Sequence, residues 1–187
     1  MIIQESFAAI GLALIVFLAS LGGSAQQQVA RLSLKLGRRD TLLVVAALSA
    51  IASAAMHGWM GQFLAKLLPE PWQGIAAAIV LVAAAVRLML PKIIQHLAEP
   101  TYSLGAITLV LAARQIFAPS GLVIVAAGIC GMALYPVVIA GALGGICGFA
   151  IAWQIPMLKN GKSAFPNVRL TSAALIIGCA IFIAIFV

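Results

Sequence analysis

Acidic residues are what this chain has least of. Only four of its 187 residues are Asp or Glu, and Glu5, Asp40, Glu70 and Glu99 all lie at the ends of apolar runs or in linkers between them. Paired carboxylates for acid–base chemistry are therefore missing, and so are the oxygen-rich cages that hold hard cations. Charge of either sign is scarce at 8%, against roughly a quarter in a soluble domain. The three cysteines, Cys130, Cys147 and Cys179, are too widely spaced for a CxxC pair, and each reads as a small packing residue in an apolar segment. No HExxH occurs, nor a Ser/His/Asp order that one face could hold. No catalytic residue, metal ligand or cofactor is assigned, and the chain reads as something other than an enzyme.

Hydrophobic residues make up 64% of the chain and mean hydropathy is +1.19. Runs of about 17 to 25 apolar residues, the length a helix needs to cross a bilayer, recur from end to end. The expected fold is an all-α membrane protein, with residues 1–187 as a single membrane domain. Six transmembrane helices are expected: Phe7 to about Leu36, Thr41 to Leu68, Trp72 to Leu90, Tyr102 to about Leu134, Val137 to Leu158, and Val168 to Val187. The turns between them are marked by "GRRD", "PEP", "PKIIQHLAEP", "YP" at Tyr135 and Pro136, and "KNGKSAFPN". The first run lacks a basic flank and a clean small-x-small site, so it is expected to remain as a helix.

Lys and Arg favour cytoplasmic loops. Arg31, Lys35, Arg38 and Arg39 surround the first loop, Arg87 and Lys92 the third, and Lys159, Lys162 and Arg169 the fifth, while Lys66 alone falls on the other side. The odd loops are thus expected in the cytoplasm and both termini outside it, in a bacterial inner membrane. The net charge of +7 then serves topology and lipid headgroups. Nucleic acid is not an expected partner, because the basic residues flank spans and form no groove with interleaved aromatics. The bilayer is the expected partner, a small ion or solute the expected cargo, and a homo-oligomer is left open.

Three spans per half force the halves to face opposite ways, so two inverted three-helix repeats are expected, over about 5–95 and about 102–187. Each opens on an interrupted helix. "SLGG" at Ser20 to Gly23 breaks the first run and "APSG" at Ala118 to Gly121 breaks the fourth; the same offset carries the start of the third span onto the start of the sixth. Gly and Pro interruptions in corresponding positions of two halves point to a transport site, since freed peptide groups are tolerated only where they face protein or a water-filled cavity. The candidate substrate-binding residues are Ser20, Gly22, Gly23, Ser24, Gln26, Arg114, Ser120 and Gly121. Small residues at such spacing also let helices pack closely, as Gly141 with Gly145 and Gly144 with Gly148 would.

The stretch "FLASLGGSAQQQVARLSLKLGRRDTLLVVAALSA" resembles the first half of the Gdt-type calcium/manganese–proton exchangers, six-helix proteins with a Glu-x-Gly-Asp-Lys/Arg-Thr/Ser motif on the first and fourth helices. The resemblance continues through "AAAVRLML", "LAAR", "VVIAGALGG" and "VRLTSAAL". It implies a cation antiporter ancestry. In this chain Ser20 stands at the motif's Glu, Gly22 keeps the glycine, and Gly23, Ser24 and Ala25 replace the Asp, the base and the hydroxyl residue; Gln26 matches a glutamine that often follows. In the second copy Ala118, Ser120 and Gly121 take the Glu, Gly and Asp places, and a register starting at Ala112 or Ala113 contains no acid either. With the carboxylates lost from this degenerate motif, nothing there can titrate or offset the dehydration of a divalent ion.

Arg114 is a charge deep in the fourth run, about 18 Å along a helix at 1.5 Å per residue. It reads either as a cation-repelling or anion-binding centre beside the breaks, or as an arginine snorkelling to an interface. Gln26, Gln27 and Gln28 cross-link helices or line a hydrated path; His57 packs by hydrogen bonds or carries protons; Trp59, Trp72 and Trp153 anchor at interfaces. The leading expectation is a transporter-fold protein with a rewritten centre. Its rivals are a non-transporting structural or regulatory partner, and a small-solute exporter of the amino-acid exporter type.

Overall fold

The computed structural model describes residues 2–21, 23–35, 40–90, 104–154 and 166–186. Within them the chain forms α1 (Ile2–Ser20), α2 (Ser24–Lys35), α3 (Asp40–Leu67), α4 (Glu70–Met89), α5 (Leu104–Ile116), α6 (Pro119–Ile129), α7 (Leu134–Gln154) and α8 (Pro166–Phe186). No strand occurs among the described residues. The helices α3, α4 and α7 are long and apolar enough to cross a membrane, and α5 with α6 makes a fourth candidate if that pair, bent by 55°, is one span. Two shorter apolar stretches, Ser6–Ser20 and Arg169–Ile185, lie in α1 and α8. Large apolar side chains such as Phe7, Leu14, Leu48, Ile79, Ile139 and Phe182 are exposed along the long helices. A surface of that kind is compatible with hydrocarbon as its solvent.

Both interruptions are real. α1 stops where glycine makes helix continuation costly: Leu21 N–H still reaches back to the Phe17 carbonyl, and Gly23 N–H closes on Ser20 O at 2.9 Å. The helix restarts when Gln27 N–H bonds Gly23 O at 3.0 Å. α5 ends in a tight turn, Ala118 N–H to Gln115 O at 3.0 Å, and Pro119 opens α6 as its first residue, where a missing N–H costs nothing. Ala118 is held extended, at ψ 143°, as a residue before proline must be.

One expected turn lies elsewhere. Tyr135 and Pro136 belong to the first turn of α7, a place where proline is as acceptable as in α6. The chain reverses instead over Cys130–Ala133, where Gly131 takes φ +80°, a conformation that favours glycine. Residues 36–39, 91–103 and 155–165, which include Arg38, Arg39, Lys92, Lys159 and Lys162 of the charge argument, lie outside the described residues, as do the Arg31 and Lys35 side chains.

Small residues set how the helices meet. α7 offers two stripes: Gly144 sits on the α1 backbone at Ala13 and Phe17 and Gly148 on Ser20, while Gly141 lies on Ala54 and Ile124 and Gly145 on Ala50. Gly58 meets Leu134 and Val138, so residue numbers fall along α7 as they rise along α3 and the two run antiparallel. α4 packs on α8, and Arg169 at the start of α8 donates to Leu88 O at 2.6 Å and Leu90 O at 3.0 Å at the end of α4. That pair is antiparallel too. Gly61 and Gly128 bring the backbones of α3 and α6 together. Without a hydrophobic drive between helices in lipid, such close approach is the main source of packing energy.

Two buried clusters result. The larger one joins α1, α4, α6 and α8 with parts of α3 and α7, and includes Val16, Leu81, Ile124, Val137 and Ile176. The smaller one gathers Ala25, Val29, Leu42, Leu111 and Phe149 from α2, α3, α5 and α7. The broken first and fourth segments change cluster at their breaks: α1 and α6 belong to the first, α2 and α5 to the second.

Candidate functional site

Between the two clusters lies a partly enclosed cavity of about 480 Å³. Both breaks line it. Ser20, Gly23 and Gln26 come from the first interruption, and Arg114, Phe117, Pro119, Ser120 and Gly121 from the second. Six of the eight candidate residues named from sequence therefore share one wall system; Gly22 and the Ser24 side chain lie outside the described residues. Apolar side chains, among them Val16, Ala54, Ile124 and Phe149, fill the rest of the wall.

The first break is tied across itself. Ser20 Oγ donates to Phe17 O at 2.7 Å, the carbonyl that also takes the Leu21 N–H at the helix end, and accepts from Gln26 Nε2 at 3.0 Å. Gln26 and Gln27 are buried, which accounts for two of the three glutamines: they are polar residues held inside the protein. The Gln28 side-chain oxygen is buried with no hydrogen-bond partner among the described residues.

The second break is braced from α3 and α4. His57, fully buried, places Nδ1 2.6 Å from its own helix's Ser53 O and Nε2 3.0 Å from Ile116 O, the last carbonyl of α5. Gln115 Nε2 donates to Ser49 Oγ at 3.0 Å. Arg87 reaches from α4 to give Nη1–H to Phe117 O at 2.7 Å, with its guanidinium 5.4 Å over the Phe117 ring. Two side chains, His57 and Arg87, thus reach backbone carbonyls left at the end of α5, as a helix end requires, while Gln115 ties the same turn to the Ser49 hydroxyl.

Two placements differ from the sequence reading. Arg87 counted there as a charge of the third loop; it lines the cavity beside Arg114. It sits exposed in the last turn of α4, and the packing of α4 on α6 brings it to the Phe117 carbonyl at the second break. Gly121, set against the motif's Asp, has no space for a side chain, because the His57 ring occupies it. Ser53, a further lining residue, carried no signal beyond being polar in an apolar run.

Among the described residues no Asp or Glu lines the cavity, and no group of three or more His, Cys, Asp or Glu side chains that could hold a metal occurs. The polar groups it presents are two guanidiniums, three hydroxyls, the amide side chains of Gln26 and Gln115, and the backbone at the start of α6. Such a set donates hydrogen bonds far more than it accepts them. Comparison with known protein families, characterised proteins and solved structures finds no match for this chain.

Proposed function

We propose that this is a multi-pass inner-membrane protein of transporter fold, built from two inverted three-helix halves, that moves a small solute through its central cavity. The observation that carries this reading is the convergence of both helix breaks, one from each half of the chain, on a single cavity. Broken helices in corresponding places are how secondary transporters expose backbone to a substrate. The antiparallel courses of α3 against α7 and of α4 against α8 are what a pseudo-dyad in the membrane plane would produce. Under this reading six spans cross the bilayer, the basic loops face the cytoplasm and both termini lie outside.

The resemblance to Gdt-type exchangers supplies the ancestry, and the cavity supplies the departure from it. Hard divalent ions need several oxygen ligands with negative charge among them. Here the motif positions hold Ser20, Gly23, Ser120 and Gly121, and two arginines share the space. Proton-coupled exchange of Ca²⁺ or Mn²⁺ is accordingly a lost activity.

Two measurements test the proposal. Proteoliposomes of the purified chain take up no Mn²⁺ or Ca²⁺ against a proton gradient; robust uptake overturns the loss of metal exchange. In a variant with Cys130, Cys147 and Cys179 replaced by Ala, Ser20→Cys and Ser120→Cys are each labelled by a membrane-impermeant thiol reagent from at least one side. Absence of labelling from both sides means a sealed centre and removes transport.

A further inference from the structure

We propose that the cavity binds a small organic anion, a carboxylate on a short apolar body, with Arg87 and Arg114 as its charge-recognising residues. The inference rests on the reading of the cavity as a solute site and names the class of solute.

Charge balance comes first. Two guanidiniums from different helices face one cavity, and among the described residues no carboxylate lines it. A guanidinium cannot shed its proton in a protein, and although Arg87 is exposed and Arg114 half-buried, two like charges lining one cavity repel. Arg87 spends one N–H on the Phe117 carbonyl, leaving four of its five donors. Arg114 has no hydrogen bond or ion pair among the described residues. An anion between them offsets the repulsion and takes up these donors, in the bidentate geometry that arginine offers a carboxylate.

The backbone adds to the same potential. Ala118 gives α6 no side-chain cap, and Ser120 and Gly121 of its first turn line the cavity. The start of a helix is a region of positive potential. Arginines and helix start belong to the same break, since Arg114 precedes it by a few residues and Arg87 is hydrogen-bonded within it at Phe117.

Size and wall chemistry select among anions. About 480 Å³ is within the range of small-molecule sites, roughly 300 to 1,000 Å³, and far more than an inorganic ion fills. Val16, Ala19, Ile124 and Phe149 present hydrocarbon to the same space. A ligand with an anionic end and an apolar body satisfies both; inorganic phosphate satisfies one.

The test uses the full chain in lipid nanodiscs with radiolabelled butyrate, read by scintillation proximity. Butyrate binds saturably, and butyramide, the same body without the charge, competes at least about tenfold more weakly, as the loss of charge-assisted hydrogen bonds implies. Arg87→Gln and Arg114→Gln each weaken butyrate by about tenfold or more. Equal competition by butyramide overturns the proposal, as does displacement of butyrate by inorganic phosphate at lower concentration than by butyrate itself. If either variant fails to give a cooperative melt, the butyrate–butyramide comparison on the unaltered chain decides alone. Butyrate binding without butyrate flux in proteoliposomes keeps the site and overturns transport; no butyrate binding while Ser20→Cys and Ser120→Cys are labelled keeps the cavity and overturns the anion.

Discussion

The imidazole of His57 fills the space into which a side chain at position 121 would project: a Cβ on Gly121 would lie 2.5 Å from Nε2. The same ring reaches Ile116 O at 3.0 Å, so one histidine both closes the wall of the cavity and holds the end of α5. Position 121 therefore has no space for a side chain.

Gly121→Ala is expected to destabilise the protein by about 1 to 3 kcal/mol, the usual cost of overpacking a closed site, and Gly121→Asp by more. An acid placed there does not build a cation site. Thermal unfolding in detergent, followed by tryptophan fluorescence, measures both, and His57→Ala combined with Gly121→Ala is expected to cost less than the sum of the two single changes. Additive losses would mean that the ring and position 121 are not in contact.

Glycine-to-alanine changes should separate by location. A Cβ on Gly61 would meet the Val125 carbonyl at 2.5 Å, backbone that cannot step aside, whereas one on Gly178 meets nothing within 4 Å. Gly61→Ala is expected to lower the melting temperature through a loss of about 1 to 3 kcal/mol; Gly178→Ala is expected to raise stability by about 0.5 to 1 kcal/mol through helix propensity. The two melting temperatures should move in opposite directions.

Arg169→Met keeps most of the apolar stem and removes the donors to Leu88 O and Leu90 O. Hydrogen bonds from a charged donor are worth about 1.5 to 3 kcal/mol. The end of α4 should open first, so hydrogen exchange at the amides of the last turn of α4 is expected to quicken more than at those of α3.

Burial pushes the Cys130 thiol above the ordinary thiol range through desolvation of the thiolate. A raised value leaves less thiolate at any given pH, and thiolate is the species that reacts. At pH 8 Cys130 is expected to alkylate several-fold more slowly than a cysteine placed at exposed Tyr135, with the gap narrowing as pH rises. Mass spectrometry of timed iodoacetamide reactions reads this directly.

Much of the fold was legible because it follows from local physics. Long apolar runs with so few charges have one economical state, the helix, since it satisfies every peptide group within the segment. Gly22 and Gly23 in one run and Pro119 in another mark breaks for the same local reason, and helices do stop there. Tyr135 and Pro136 misled because proline marks the start of a helix as readily as its end; Gly131, four residues before Tyr135, was the better turn signal.

Composition and spacing thus settle the helical class, the points of interruption and the poverty of acids at those points, because each is a property of a few neighbouring residues. The bond from Arg87 to Phe117 O, the lack of space for a Cβ at position 121, and the gathering of both breaks on one cavity all depend on helices distant in the chain. Contacts of that kind arise from how the glycine stripes of α7 seat α1 and α3. No local preference encodes them, since they are energies of fit between surfaces that exist only once the bundle has closed.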